Sequence, residues 1–203
     1  MHGCLHYVAK TSKRRQSRSP FTLKWVARTL SVGTDLGLGR LRTVFSLEPV
    51  EYPTTRRMGS SLQDRASDIM AAFGDPSVKA IIASVGGEDQ IKLLKLLDPE
   101  IIKSNPKPFF GFSDNTHLHL YLSNLGIPSY YGGCIMTQFA MQQNMMDLTI
   151  ESLNKALFDG GTLETSGSAT YNDIGLDWAD NHPSISSAPW SKMMDSSGAE
   201  SKK

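Results

Sequence analysis

Several things are scarce in this 203-residue chain. It has two cysteines, Cys4 and Cys134, too few for the disulfide framework of a secreted domain, so a reducing compartment is expected. No apolar run approaches the ~18 residues a membrane-spanning helix needs, and no secretory signal with a long apolar core opens the chain. Neither a G-x-G-x-x-G fingerprint nor a P-loop lysine pattern is present, which argues against a doubly wound nucleotide-binding domain. Acid is missing from one region: residues 1–34 hold seven Lys or Arg and no Asp or Glu, whereas the rest holds fourteen basic and twenty acidic side chains. A net charge of +1 gives no reason to expect a nucleic-acid or membrane partner. The expected location is cytoplasmic, with mitochondrial targeting by the Arg- and Ser-rich head as the alternative.

The hydrophobic share, 39%, is enough for a core. Residues 1–20, with KTSKRRQSRSP, show no periodicity and read as disordered. FTLKWV has strand character, and TDLGLGRLRTVF reads as a short helix with Leu36, Leu41 and Val44 inward. LEPVEY reads as a strand closed by Pro53. In SSLQDRASDIMAAFGD, Leu62, Ala66, Ile69, Met70 and Phe73 recur at steps of three and four, which predicts an amphipathic helix capped by Ser60 or Ser61 and ended by Gly74. KAIIASVGG and PFFGF are short and apolar, as strands buried on both faces are. EDQIKLLKLLD reads as a helix, with Pro99 at its end or in a new short turn, and IIKSNPKP as a loop. DNTHLHLYLSNLG is a predicted helix, IPSYYGG a strand, and NMMDLTIESLNKALFDGG a helix with Met146, Ile150, Leu153 and Leu157 on one face.

This alternation predicts an α/β fold, an open, mostly parallel sheet with helices on both faces. Residues 1–34 form a basic, disordered or divergent head, 35–160 the α/β domain, and 161–203, rich in Ser, Asp and Gly, an irregular tail.

In such a sheet ligands bind beyond the carboxyl ends of the strands. Two predicted strands end there in Ser84-Val85-Gly86-Gly87-Glu88-Asp89 and Gly111-Phe112-Ser113-Asp114-Asn115. A serine nucleophile needs a tight strand-to-helix turn, peptide N–H groups facing the developing oxyanion, and a base. Ser113 has the position; the N–H of Asp114 and one from Gly86 or Gly87 are candidate donors. Ser, Asp and Asn are also the favoured helix N-caps, so Ser-Asp-Asn taken by itself reads first as a cap. Glu88, Asp89 and Asn115 flank these groups and are the candidate substrate contacts.

Taken in order, Gly86-Gly87, Asn105-Pro106-Lys107, Gly111-Phe112-Ser113-Asp114-Asn115-Thr116 and Gly132-Gly133 resemble the LD-carboxypeptidase family of serine peptidases, in particular its microcin-immunity branch. LEPVEYPTT and TYNDIGLDWAD add to the likeness, which covers roughly residues 36–180. The resemblance implies that Ser113 is the nucleophile and that the N–H of Asp114 and one from the glycine pair form the oxyanion hole. It implies cleavage of an amide next to a free carboxylate, in a cell-wall peptide or a peptidyl or aminoacyl nucleotide, without metal or organic cofactor, by proteins that are commonly homodimers. The family completes its triad with a Glu and a His from a C-terminal domain, expected to be absent here. None of His2, His6, His117, His119 and His182 matches that motif. His117 and His119 read as packing or helix-face residues, and His182 as a tail residue. Nor does the head show the family's first strand and loop; FTLKWV replaces that strand, or the strand is lost and a sheet edge is exposed. A non-catalytic module holding a peptide carboxylate is the competing function.

Overall fold

The computed structural model describes residues 6–11, 31–57, 59–141, 144–159, 162, 164, 170–171 and 191–192, with side chains between residues 33 and 164. FTLKWV, His182 and most of TYNDIGLDWAD lie outside the described residues.

A five-stranded sheet forms the centre, in the order β2-β1-β3-β4-β5. Its strands are β1 (His6–Thr11), β2 (Leu47–Glu51), β3 (Ala80–Ala83), β4 (Phe109–Gly111) and β5 (Ser129–Tyr131). β3, β4 and β5 pair in parallel, Ile82 opposite Phe110 and Phe110 opposite Tyr130. β1 pairs antiparallel with both neighbours, Val8 opposite Val50 on one side and Ile81 on the other. The sheet is therefore mixed, and the expectation of disorder across residues 1–20 is corrected at His6–Thr11. The basic head itself supplies a central strand, so β3 is paired on both sides. Pro49 falls in β2, an edge strand, where a missing ladder donor is tolerated.

Alternation along β3 and β4 sends side chains to two cores. Ile81, Ala83 and Phe109 pack with Ala66, Ile69, Ala72 and Phe73 of α2 (Leu62–Gly74), with Leu93 of α3 (Gln90–Leu93), with Ile102 of α4 (Pro99–Ser104), and with Leu118 and Leu122 of α5 (Thr116–Asn124). Ala80, Ile82 and Phe110 pack on the other face with Leu38 and Leu41 of α1 (Ser31–Thr43), Phe45, Ile135 and Phe139, and Leu153 of α6 (Asp147–Asn154). Each fully buried Leu, Ile or Phe contributes about 1.5–3 kcal/mol by leaving water.

The predicted stripe of α2 is the buried one, with Leu62 and Met70 at its margin, and Ser61 caps it by accepting the Asp64 N–H at 3.0 Å. Gly74 stays helical; the stop is Asp75, in extended backbone. The C-terminal carbonyls of α2 are satisfied from outside: the Lys107 ammonium, buried, donates to the carbonyls of Ala72 (2.9 Å), Phe73 and Asp75 (2.7 Å). That is the structural role of the lysine in Asn105-Pro106-Lys107.

Three further expectations are corrected. α1 turns Leu38 and Leu41 inward, with Phe45 beyond its end; Val44 is 40% exposed and Leu36 is only partly covered. Gly37 sets this rotation, because a Cβ there would lie 2.7 Å from Ile135. The buried Arg40 then reaches across to the carbonyls of Phe139 (2.7 Å) and Met141. The helix expected over EDQIKLLKLLD is one α turn and one 3-10 turn; Pro99 opens a new turn, one of its two expected places, and α4 runs from it into the expected loop, capped by Asp98 through the Glu100 N–H at 2.8 Å. In the expected irregular tail, Thr170–Tyr171 and Ser191–Lys192 pair as short antiparallel strands.

Candidate active site

β3 and β4 are neighbours and parallel, so their carboxyl ends emerge side by side. Two turns meet there. After β4, Phe112 is extended and Ser113 then takes φ +63°, the left-handed region that costs a residue with a Cβ about 1–2 kcal/mol. One 3-10 turn later, α5 begins. Ser113 is exposed above this turn. A helix cap has no need of such a conformation, and Asn115, at the cap position of α5, makes no side-chain capping bond. The Ser113 carbonyl accepts the Thr116 hydroxyl at 2.6 Å, and its N–H donates to the Tyr131 hydroxyl at 3.2 Å. The turn is thus held at the Ser113 backbone by two hydroxyl side chains, with the serine side chain left to project.

The turn after β3 lies against it. A Cβ built on Gly86 would lie 2.8 Å from Cβ and 2.9 Å from Oγ of Ser113, so only glycine allows this approach. The geometry therefore brings together Ser113 and Gly86, with Gly87 next in the chain and Asp114 next after the serine.

Asn115 does not join them as a substrate contact. It is fully buried, and its amide donates to the carbonyls of Val85 (3.2 Å) and Phe112 (2.9 Å), clamping the two turns from beneath. Gly111 makes room for it, since a Cβ there would lie 3.1 Å from the Asn115 side chain. The Asp114 carboxylate accepts the N–H of Gln90 at 2.8 Å, fastening α3 to the serine turn. The Asp89 carboxylate pairs with Arg65 at 2.6 Å and is 18% exposed. Glu88 is exposed.

The histidines near the serine are otherwise engaged. His117 Nε2 lies 3.6 Å from an Asp114 oxygen. His119 Nε2 is 2.9 Å from the Gly111 carbonyl, which can only accept, so that nitrogen carries the proton. His119 also packs against Phe109 and Tyr131, with ring centroids 5.0 and 5.8 Å away. Burial lowers its pKa, partly countered by the bond to Gly111. Burial pushes the Cys134 thiol up to about 12, so it stays protonated and is no rival nucleophile. Among the described residues no cluster of three or more His, Cys, Asp or Glu side chains is placed to hold a metal.

Sequence reading missed Tyr131 and Arg65. Tyr131 sits on the edge strand, where alternation is uninformative, yet its hydroxyl meets the backbone of Ser113. Arg65 lies within the apolar stripe of α2 as a charged residue and is 1% exposed. That anomaly was the available signal.

The profile of the LD-carboxypeptidase N-terminal domain matches residues 25–132. The chain belongs to the LD-carboxypeptidase family. A Treponema pallidum protein named for an inferred carboxypeptidase activity is 35% identical over 115 residues, which is 56% of this chain and 33% of that one. The microcin C7 self-immunity protein of Escherichia coli is 29% identical over 128 residues, 60% of this chain and 36% of that one. Among solved structures, an MccF-like protein from Streptococcus pneumoniae in complex with AMP superposes with a TM-score of 0.72 at 25% identity, covering 84% of this chain and 51% of that one. The chain thus spans about a third of the length of these curated relatives and about half of the solved one. What it shares with the family is the α/β domain that carries Ser113.

Proposed function

We propose that this chain carries the nucleophile-bearing part of a serine-type LD-carboxypeptidase site. Ser113 Oγ attacks the carbonyl of an amide next to a free carboxylate. The resulting oxyanion is held by the N–H of Asp114 and by one from Gly86 or Gly87, each such donor being worth ~3 kcal/mol in the transition state. The serine proton passes to a base and then to the leaving amine; water hydrolyses the acyl-enzyme. The substrate class is a cell-wall peptide or a peptidyl or aminoacyl nucleotide; the latter is supported by likeness to a self-immunity protein and to a relative holding AMP.

The observation that carries this reading is the exposed Ser113 in left-handed backbone, with Gly86 packed against its side chain. A helix cap requires neither feature. His117 and His119 are turned to Asp114 and Gly111, so the base comes from outside the described residues, and the chain alone is expected to react slowly.

A fluorophosphonate probe tests this. Slow, stoichiometric labelling at Ser113, lost in Ser113→Ala, is expected. Absence of labelling in folded protein would overturn it. The second reading, a non-catalytic module for a peptide carboxylate, is favoured by those same engaged histidines. It predicts calorimetric binding of a D-alanine-terminated tetrapeptide with no labelling.

A further inference from the structure

Arg65 is an unusual core residue. It belongs to the buried stripe of α2, is 1% exposed, and points its guanidinium at the glycine turn. Nη1 donates to Asp89 at 2.6 Å and Nη2 to the Gln90 side-chain oxygen at 3.3 Å. Two buried donors, Arg65 Nε and Gln90 Nε2, have no hydrogen-bond partner among the described residues. A buried ion pair with donors left over is a poor source of stability; an apolar side chain of similar volume often does as well.

The start of α3 shows a second oddity. Asp89 stands at its N-cap position, where aspartate ordinarily accepts a helix N–H, but it makes no such bond. Its carboxylate faces Arg65 instead, and Asp114 from the serine turn accepts the Gln90 N–H. The segment from Val85 to Gln90 is therefore tethered three times: Asn115 holds the Val85 carbonyl, Arg65 the Asp89 side chain, and Asp114 the Gln90 amide. Between the tethers lie Gly86 and Gly87, the two residues with the greatest backbone freedom.

We infer that Arg65 is a positioning residue: through Asp89 and Gln90 it holds the Gly86–Gly87 peptides in the orientation that the oxyanion requires. It touches no substrate. The inference rests on the role proposed above for those peptides, and its test separates the two. In the full chain, 15N relaxation of Gly86 and Gly87 is compared with that of β3 and α5. Wild-type glycines are expected to be as rigid as the sheet, with order parameters of about 0.85, falling below about 0.6 in Arg65→Met and Asp89→Ala while β3 and α5 hold. Arg65→Lys, which keeps the ion pair and loses the fork to Gln90, should fall between. Phosphonate labelling of Ser113 should slow tenfold or more in Arg65→Met and less in Arg65→Lys, while the melting temperature changes little in Arg65→Met/Asp89→Ala, which removes both charges. Asp89→Ala strands the buried Arg65 charge and Arg65→Met strands the Asp89 carboxylate, so the double variant Arg65→Met/Asp89→Ala, which leaves no unpaired charge, decides the matter should a single variant not fold. Rigid glycines in Asp89→Ala or in the double variant would overturn the inference. An unlabelled wild type would overturn the nucleophile and leave the relaxation result to judge Arg65.

Discussion

On one side of β3 the sheet runs parallel through β4 to β5, joined by helical crossovers; on the other, β1 runs against both of its neighbours. The parallel half places two carboxyl ends together and so builds the site. The other half shields the inner edge of β3. It needs only a strand with the right backbone, and the basic head supplies one in the opposite direction. Direction is therefore exacting where two strand ends must meet around Ser113, and permissive where the task is to satisfy N–H and C=O groups.

The sharpest way to break this comparison is to remove the antiparallel half. Val8 pairs on both sides, with Val50 and Ile81. Val8→Pro deletes a donor in the middle of the sheet and leaves its acceptor unpaired, at a cost on the order of 3 kcal/mol. The urea midpoint should fall steeply, since that is a large fraction of a domain's stability. An unmoved midpoint would show that the sheet does not depend on β1.

Gly86→Ala probes the parallel half. The new methyl would sit 2.8–2.9 Å from the Ser113 side chain, well inside contact, so one turn must move. A displacement near 1 Å at reacting atoms costs about 100-fold in rate. Phosphonate labelling should drop by that order, while the urea midpoint falls less than in Val8→Pro. Labelling at the wild-type rate would mean that the two turns are not held together.

The same division governs how much was legible in the sequence. β3, β4 and α2 announce themselves because their patterns are local: AIIA and FFG are apolar throughout, and α2 carries a clean stripe. The Gly86–Ser113 pairing followed from strand ends plus parallel order. β1 was hidden because HYVAKT is short and runs straight into a charged stretch, and its pairing is wholly non-local. Leu36 and Val44 were placed inward on spacing alone, whereas the rotation of α1 is set by Gly37 meeting Ile135, nearly a hundred residues away. Asn115 looked like a substrate contact because polar residues at strand ends often are; only the fold shows it buried between two turns.

A smaller effect of opposite sign tests whether the serine turn stores strain. Glycine adopts φ +63° freely, so Ser113→Gly should raise stability by about 1 kcal/mol while abolishing labelling. Ser113→Ala keeps the Cβ, so it should abolish labelling without that gain. Equal melting temperatures for the two variants would mean that the turn carries no strain for glycine to relieve.

The smallest effect concerns the rim, where His119 links α5 to the end of β4. Burial among Phe109 and Tyr131 holds its folded pKa below the ordinary 6.5, although the bond to Gly111 partly opposes this. As pH falls through 6.5, the unfolded chain takes up the proton before the folded one does. Stability is therefore complete above 6.5 and is lost downward from there until the folded pKa is reached. One proton sets a ceiling of about 1.4 kcal/mol per pH unit, and the partial exposure of His119 keeps the effect well under it. The test is a difference between two chains that share every other group. His119→Gln retains a donor for Gly111 and has no proton to gain. Its melting temperature should decline less than the wild type's between pH 7.5 and 5.5. Parallel curves would place His119 in a site as open to protonation as the unfolded chain. The packing of α5 against the strand end that bears Ser113 would then be looser than its ring contacts describe.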